Sequence, residues 1–394
     1  MARVPFRYGF TVSDQTFIDR EQELARLKSN LLGGINTILL APRRWGKSSL
    51  VEKTLEQIKQ EEAAVKIVHI DLFAAANETE FLQLFARELI KASSNRWEEW
   101  MEAGKKFFKR LVPKLSVGNE PFHDFHIGFE WSDLEQHTDE LLNLPELIAE
   151  DKNCRFIICI DEFQNLATFS SFASLEKKMR ACWQRQKRVS YCLYGSKRQL
   201  MAELFNHPSR PFYRFGDLMT LPKIAEHHWV NYIVSGFEHT HKRISSDLAL
   251  TLTRLMQNHA WYVQQLAHYL WSRTQAEADV ELFNAALDEL IQANSPLYQR
   301  EIEVMSTTQL NLLRAIAKGE SQLSSVEVMR HYALGTPNNV TKNKRHFITN
   351  DFIEESELKT GTRSTRYDFV DPAFALWFKK RFFGKEYRLR IANR

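Results

Sequence analysis

The segment Ala41-Pro42-Arg43-Arg44-Trp45-Gly46-Lys47-Ser48 combines a glycine, a lysine and a hydroxyl at the spacing a polyphosphate chain requires. Phosphates are held by backbone N–H groups that converge from a tight loop and by the N-terminal end of a helix behind it. Lys47 would then reach the β- and γ-phosphates, and the Ser48 hydroxyl would ligate Mg²⁺, with Ser49 completing the binding segment. The pattern Gly-x-x-x-x-Gly-Lys-Ser/Thr is met except at its first position, where Ala41 stands. Pro42 removes one N–H but stiffens the start of the loop.

A second group of residues bears on the fate of a bound triphosphate. Phe156-Ile-Ile-Cys-Ile-Asp161-Glu162 is an apolar run closing on two adjacent carboxylates. In a phosphate-loop protein the strand beside the loop would deliver Asp161 to Mg²⁺, and Glu162 would polarise the attacking water. The plainer reading is that both residues end a strand and cap the next turn. No Asn-Lys-x-Asp run that would read guanine is present, and Thr341-Lys342-Asn343-Lys344 is a poor imitation far from the loop. Adenine is therefore the expected base, and ATP and ADP the expected ligands.

A third strand-like run, Val189 to Tyr194, leads into Gly195-Ser196-Lys197-Arg198. Ser196 at its tip could sense a γ-phosphate or orient water, or simply cap the turn after it. Arg210 and Arg214 follow, each able to neutralise transition-state charge or to form a surface ion pair. Arg43 and Arg44 inside the loop could meet nucleotide, a lid or a partner.

These groups need elements that bring them to one edge. Asn36–Ala41 reads as a strand and Ser48–Gln60 as a helix. Ala64–Leu72 reads as a strand, and Glu78–Ala92 as an amphipathic helix with Phe81, Leu82, Phe85, Leu89 and Ile90 on one side. Residues 95–131 read as an insertion, a charged helix and then a hairpin about Gly118-Asn-Glu-Pro121. Leu134–Ala149 is helical again. The unbroken apolar runs at Arg155–Ile160 and Val189–Tyr194 are of the kind that form strands buried on both faces. Strands alternating with helices predict a three-layer α/β core with a parallel sheet. After Leu221-Pro222 the pattern turns helical. From Thr307 it runs through three helices and two strand-like pieces, Phe352–Leu358 and Arg366–Val370, the order of a winged helix. The expected division is residues 1–222 as the core, 223–298 as a helical lid and 299–394 as a winged-helix domain.

Composition bounds the class. A chain of 394 residues, 44% hydrophobic and 12% aromatic, exceeds one ordinary domain and can fill two or three cores. It contains no apolar run long enough to span a membrane, and its first residues lack the apolar stretch of a signal peptide. Cys154, Cys159, Cys182 and Cys192 form no Cys-x-x-Cys pair and are expected as buried free thiols, which points to a reducing cytoplasm. From His331 to Arg394 there are thirteen Lys/Arg against seven Asp/Glu, a local +6 that leaves about −2 for the rest of a +4 chain.

Taken together, Pro5-Phe6, Phe17-Ile18-Asp19-Arg20-Glu21-x-Glu23-Leu24, the segment Ala41 to Leu50, Ile160-Asp-Glu-Phe-Gln164, Gly195-Ser196 and Asp371-Pro372 resemble the archaeal-type P-loop ATPases with a C-terminal winged helix. That family is a branch of the AAA+ and STAND NTPases. The resemblance spans nearly the whole chain. It implies that Phe17, Ile18 and Arg20 lie against adenine, that Ser196 is the first sensor and that Arg214 is the arginine contact. Where the family has Gly-x-Pro in its lid this chain has Asn258-His259-Ala260-Trp261-Tyr262. His259 either faces the phosphates or packs between helices.

The candidate recognition helix, Pro337–Asp351, carries Lys342, Lys344, Arg345 and His346, which suit phosphate contacts in a groove. Lys379, Lys380, Arg381, Lys385, Arg388, Arg390 and Arg394 add charge, whereas Glu354, Glu355 and Glu357 make the wing acidic. The aromatic cluster Phe369, Phe374, Trp377, Phe378 and Phe382 reads as core. The overall expectation is an ATP-hydrolysing molecular switch with Mg²⁺ as cofactor, slow without a partner and able to form a homo-oligomer. Two alternatives stand beside it: a DNA-binding ATPase of replication or mobile-element type, and an ATP-dependent scaffold for a protein partner.

Overall fold

In the computed structural model the described residues are 4–9, 17–93, 114–117, 125–128, 131–357 and 365–384. The chain divides into two units. A sheet unit comprises Arg20–Arg43 and Lys47–Pro222. A helical unit comprises Met1–Asp19, Arg44–Gly46 and Lys223–Arg394.

The sheet unit opens with α1 (Glu21–Leu32), β1 (Thr37–Leu40), α2 (Lys47–Glu61), β2 (Val65–Asp71) and α3 (Glu78–Ser93). The hairpin β3 (Lys114–Val117) and β4 (Phe125–Gly128) pairs antiparallel, as the turn residues between its arms predict. The charged helix expected before it lies outside the described residues. Then come α4 (Trp131–Asp151), β5 (Arg155–Asp161), a 3₁₀ turn at Phe163–Thr168, α5 (Phe172–Trp183), β6 (Val189–Gly195), α6 (Arg198–Asn206) and β7 (Asp217–Thr220).

The five strands of the main sheet run in the order β2-β5-β6-β1-β7 and are all parallel. The apolar runs in β5 and β6 are buried along almost their whole length, as strands covered on both faces must be. Helices supply the covering side chains through the periodic residues of α2 and α3, including Leu50, Leu55, Ile58, Phe81 and Phe85. Trp183 of α5 stacks on Tyr191 of β6 with ring centroids 4.1 Å apart.

This order corrects one expectation. The strand carrying Asp161 is not the neighbour of the loop-bearing strand β1, because β6, the strand leading to Ser196, lies between them. β7 has no counterpart in the sequence reading. It is a four-residue edge strand with polar residues at both ends, too short for periodicity to mark it. Its Asp217 accepts a two-pronged bond from Arg26 of α1 (2.9 and 2.7 Å) and another from Asn30 (2.7 Å), which hold its carboxyl below the usual range.

The helical unit contains α7 (Glu226–Glu238), α8 (Ser246–Leu255), α9 (Ala260–Arg273) and α10 (Val280–Glu303). It continues with α11 (Thr307–Ala317), α12 (Val326–His331), α13 (Pro337–Thr349), the antiparallel pair β8 (Ile353–Glu357) and β9 (Thr365–Phe369), and α14 (Pro372–Phe383). Three helices, two antiparallel strands and a closing helix are the winged-helix order. The helix expected to end at Asp351 stops at Thr349. α10 is continuous from Val280 to Glu303 with Pro296 inside it. One apolar core joins these helices, and Phe374, Trp377 and Phe378 are buried in it.

The first residues belong to this core too. Phe6 is fully buried against Tyr232 and Phe237, with centroids 5.7 and 5.6 Å away, and the Tyr232 hydroxyl donates to the Pro5 carbonyl (2.9 Å). The four cysteines are buried and unpaired. Among the described residues no helix is long and apolar enough to cross a membrane.

Candidate nucleotide site

β1 ends at Leu40 and α2 begins at Lys47, so residues 41–46 form a tight loop at the C-terminal edge of a parallel strand. Gly46 has φ 90°, and a Cβ there would meet nothing within 4 Å, so backbone conformation alone calls for glycine. The Lys47 ammonium is buried and donates to the carbonyls of Ala41 and Pro42, both at 3.0 Å. Ser48 Oγ donates to Asp161 Oδ2 at 3.3 Å, and Ser49 is buried on the inner face of α2.

Asp161 Oδ1 accepts the amide N–H of Glu162 at 2.7 Å. Burial pushes the Asp161 carboxyl up to about 6. The charges of Glu162 and of Asp71, its register partner on β2, push the same way, while the Glu162 amide and Lys47 oppose them. A half-buried carboxylate whose charge is poorly solvated, next to a hydroxyl, is a hard-oxygen donor pair that fits Mg²⁺.

Glu162 itself has φ 51° and ψ 40°, a left-handed conformation uncommon outside glycine and asparagine. Its Oε2 accepts from Ser196 Oγ (2.9 Å), from the Ser196 amide (3.4 Å) and from Gln164 Nε2. Arg43 Nε donates to Ser196 Oγ at 3.2 Å. Ser196 is therefore not a helix cap: Lys197 precedes α6 and makes no side-chain cap bond. The sheet unit thus joins Arg43, Ser196 and Glu162 in one hydrogen-bonded chain, and Lys47, Ser48 and Asp161 stand beside it.

Other residues singled out in the sequence lie apart from that chain. Arg214 is exposed, with φ 51° and its guanidinium 5.2 Å from the Tyr213 ring centroid. Arg210 pairs with Glu203 (2.9 Å) and with the buried Glu176 (3.5 Å). Arg20 is buried with φ 87° and pairs with Glu23 at 3.3 Å. Phe17 and Ile18 are half-buried in the helical unit, where Ile18 packs on the apolar core.

The loop residues 44–46 count with the helical unit. Within it, Arg44 donates to the Tyr262 hydroxyl (3.2 Å) and lies 4.5 Å from the Trp261 ring centroid. The Trp45 ring meets His259 edge-on at 6.4 Å. His259 is buried, and burial, with Lys223 and Arg44 adding to it, drives its pKa down to about 3, so the imidazole is neutral. The Tyr262 hydroxyl donates to the Asp371 carboxylate and lies 3.0 Å from that of Tyr298. Asp371 also caps α14 through the Phe374 amide (2.8 Å), with Pro372 in the first turn, which accounts locally for the Asp-Pro pair. Sequence reasoning missed Tyr262 and gave Gln164 no role of its own. The only sequence signal for Gln164 was its place two residues after Glu162, beyond Phe163.

On α13, Lys342, Arg345 and His346 are exposed and line an open groove of about 550 Å³ with Asn338, Thr341 and Asn350. Lys344 does not join them: its ammonium lies 5.2 Å from the Tyr367 ring centroid and 3.4 Å from that hydroxyl. Lys380 pairs with Asp288 at 2.6 Å. Lys385, Arg388, Arg390 and Arg394 lie outside the described residues.

No protein-family model matches the chain, and no curated protein matches it. Solved structures do. The chain is similar to the Walker-type ATPase PABY2304 of Pyrococcus abyssi, with a TM-score of 0.67 at 18% identity over 95% of this chain and 99% of that one. It is also similar to the ORC2 protein of Aeropyrum pernix in its ADPNP and ADP complexes, with a TM-score of 0.57 at 14% identity over 98% of both chains. At these identities the likeness establishes the fold alone: a P-loop core followed by a helical C-terminal region.

Proposed function

We propose that the protein binds ATP with Mg²⁺ on residues 41–49 and hydrolyses it slowly, as a nucleotide-dependent switch. The observation that carries this reading is the meeting of Ser48 with Asp161 at 3.3 Å beside Glu162 bonded to Ser196 at 2.9 Å, all at one edge of the parallel sheet. Lys47 would exchange the Ala41 and Pro42 carbonyls for phosphate oxygens. Glu162 takes a proton from the water that attacks the γ-phosphorus, while Lys47 and Arg43 offset the charge developing on the phosphate oxygens. ADP and inorganic phosphate leave, and the proton passes from Glu162 to solvent. Bound Mg²⁺, held by Ser48 and Asp161, would supply charge neutralisation at the phosphates.

The adenine pocket is assigned to Phe17, Ile18 and Arg20, and Arg214 to a charge contact completed in a neighbouring copy or a rearranged state. Switching requires ATP and ADP to favour different arrangements of residues 223–298, the lid, and 299–394, the winged-helix domain. A second reading, DNA binding through the winged helix, draws on the exposed stripe Lys342, Arg345 and His346 and on the basic C-terminal stretch.

The test is ATP hydrolysis by purified protein, alone and with duplex DNA, beside Lys47→Ala and Glu162→Gln. The reading expects turnover lost in both variants, with ATP binding kept in Glu162→Gln. Wild-type protein that binds no ATP would sink it, while stimulation by DNA would promote the second reading.

A further inference from the structure

Gln164 is 1% exposed, yet its side-chain oxygen has no hydrogen-bond partner. Its amide nitrogen is the group committed to Glu162 Oε2. A buried amide with one half unsatisfied costs stability that an apolar side chain of the same length would not. Packing alone therefore gives no reason for glutamine here.

The space for it is created by Gly195. A Cβ on that residue would fall 1.8 Å from Gln164 Oε1 and 3.0 Å from its Cδ. The strand tip thus lacks a side chain where the amide must lie to reach the carboxylate. Every donor that meets Glu162 among the described residues converges on Oε2, and none meets Oε1. One oxygen is anchored and the other is left to act.

We infer that Gln164 is a positioning residue: seated against Gly195, it fixes the Glu162 carboxylate so that Oε1 faces the attacking water. The inference rests on the reading of Glu162 as the base. Gln164 touches no reacting atom in this role and acts through the anchored oxygen.

The deciding variant is Gln164→Met, which keeps the volume and removes the donor. With ATP and Mg²⁺ as probe, kcat is expected to fall by about ten- to a hundred-fold, the weight of a hydrogen bond to a charged group, with ATP affinity within about twofold of wild type. Thermal stability should be unchanged or higher. Gly195→Ala, which drives the amide away, should lower kcat likewise, and Gln164→Met should add nothing in a Glu162→Gln background. Unchanged kcat in Gln164→Met, or a loss of melting temperature and ATP binding in step with kcat, would overturn the inference. The two failures are separable. Turnover surviving in Glu162→Gln removes the base itself, whereas an inactive Glu162→Gln beside a fully active Gln164→Met removes only the role given to Gln164.

Discussion

Replacing Asp161 with asparagine should stabilise the fold while abolishing Mg²⁺-dependent nucleotide binding. Burial is the main cause that lifts this carboxyl from 3.8 to about 6. At 1.36 kcal/mol per unit the ionised form costs the fold about 3 kcal/mol, or about 2 kcal/mol once the solvent reaching this half-buried group is allowed for. Asparagine removes that cost: its Oδ1 can still accept from the Glu162 amide, and its Nδ2 can donate to Ser48 Oγ. Because the folded value lies above the unfolded one, the group favours folding fully below 3.8, and that contribution disappears as pH rises through about 6. The variant's advantage is therefore expected in full at pH 8, should fall to about half by pH 5 and should vanish only below 3.8, where the carboxyl is neutral in the folded and unfolded chain alike. Metal-free thermal melts at both pH values are the assay, with a gain of about 4–8 °C at pH 8. Adding Mg²⁺ and ATP should raise the melting temperature of wild type and leave the variant unmoved. A variant less stable than wild type at pH 8, or an advantage as large at pH 5, would refute the claim that burial of charge dominates this site.

Other expectations concern single groups. His259, held near 3 in the fold against 6.5 in the free state, contributes stability above pH 6.5 that is lost on acidification, about 2 kcal/mol by pH 5. Denaturant melts should show that loss in wild type and not in His259→Leu. Lys47→Ala should bind ATP at least about a hundredfold more weakly, read by titration of a fluorescent nucleotide. Phe6→Ala should cost about 3–5 kcal/mol in melts of the intact chain, because the ring is fully enclosed among Tyr232, Phe237 and their neighbours. If the winged helix engages DNA, Lys342→Glu with Arg345→Glu should abolish a salt-dependent affinity that Lys344→Glu only weakens, since Lys344 is committed to Tyr367.

Local chemistry was enough to read much of this protein from its sequence. The loop from Ala41 to Ser48 announces itself because glycine, lysine and hydroxyl must be contiguous to close around phosphate. Asp161-Glu162 is legible because a strand buried on both faces is an unbroken apolar run, so its polar end stands out. The hairpin, the winged-helix order and the parallel sheet are legible from period and turn residues in the same way. What the tertiary structure alone decided concerns neighbours in space. The order β2-β5-β6-β1-β7 puts the strand that leads into Ser196, not the strand of Asp161, next to the loop-bearing strand, and strand order leaves no mark on any one strand's residues. That order brings Ser196 Oγ within 2.9 Å of Glu162 across 34 residues of chain, and it turns the missing side chain of Gly195 into room for Gln164. The gathering of Arg44, Tyr262, Tyr298 and Asp371 is likewise invisible in sequence, since 327 positions separate its first and last members and only folding brings their polar groups out of water together.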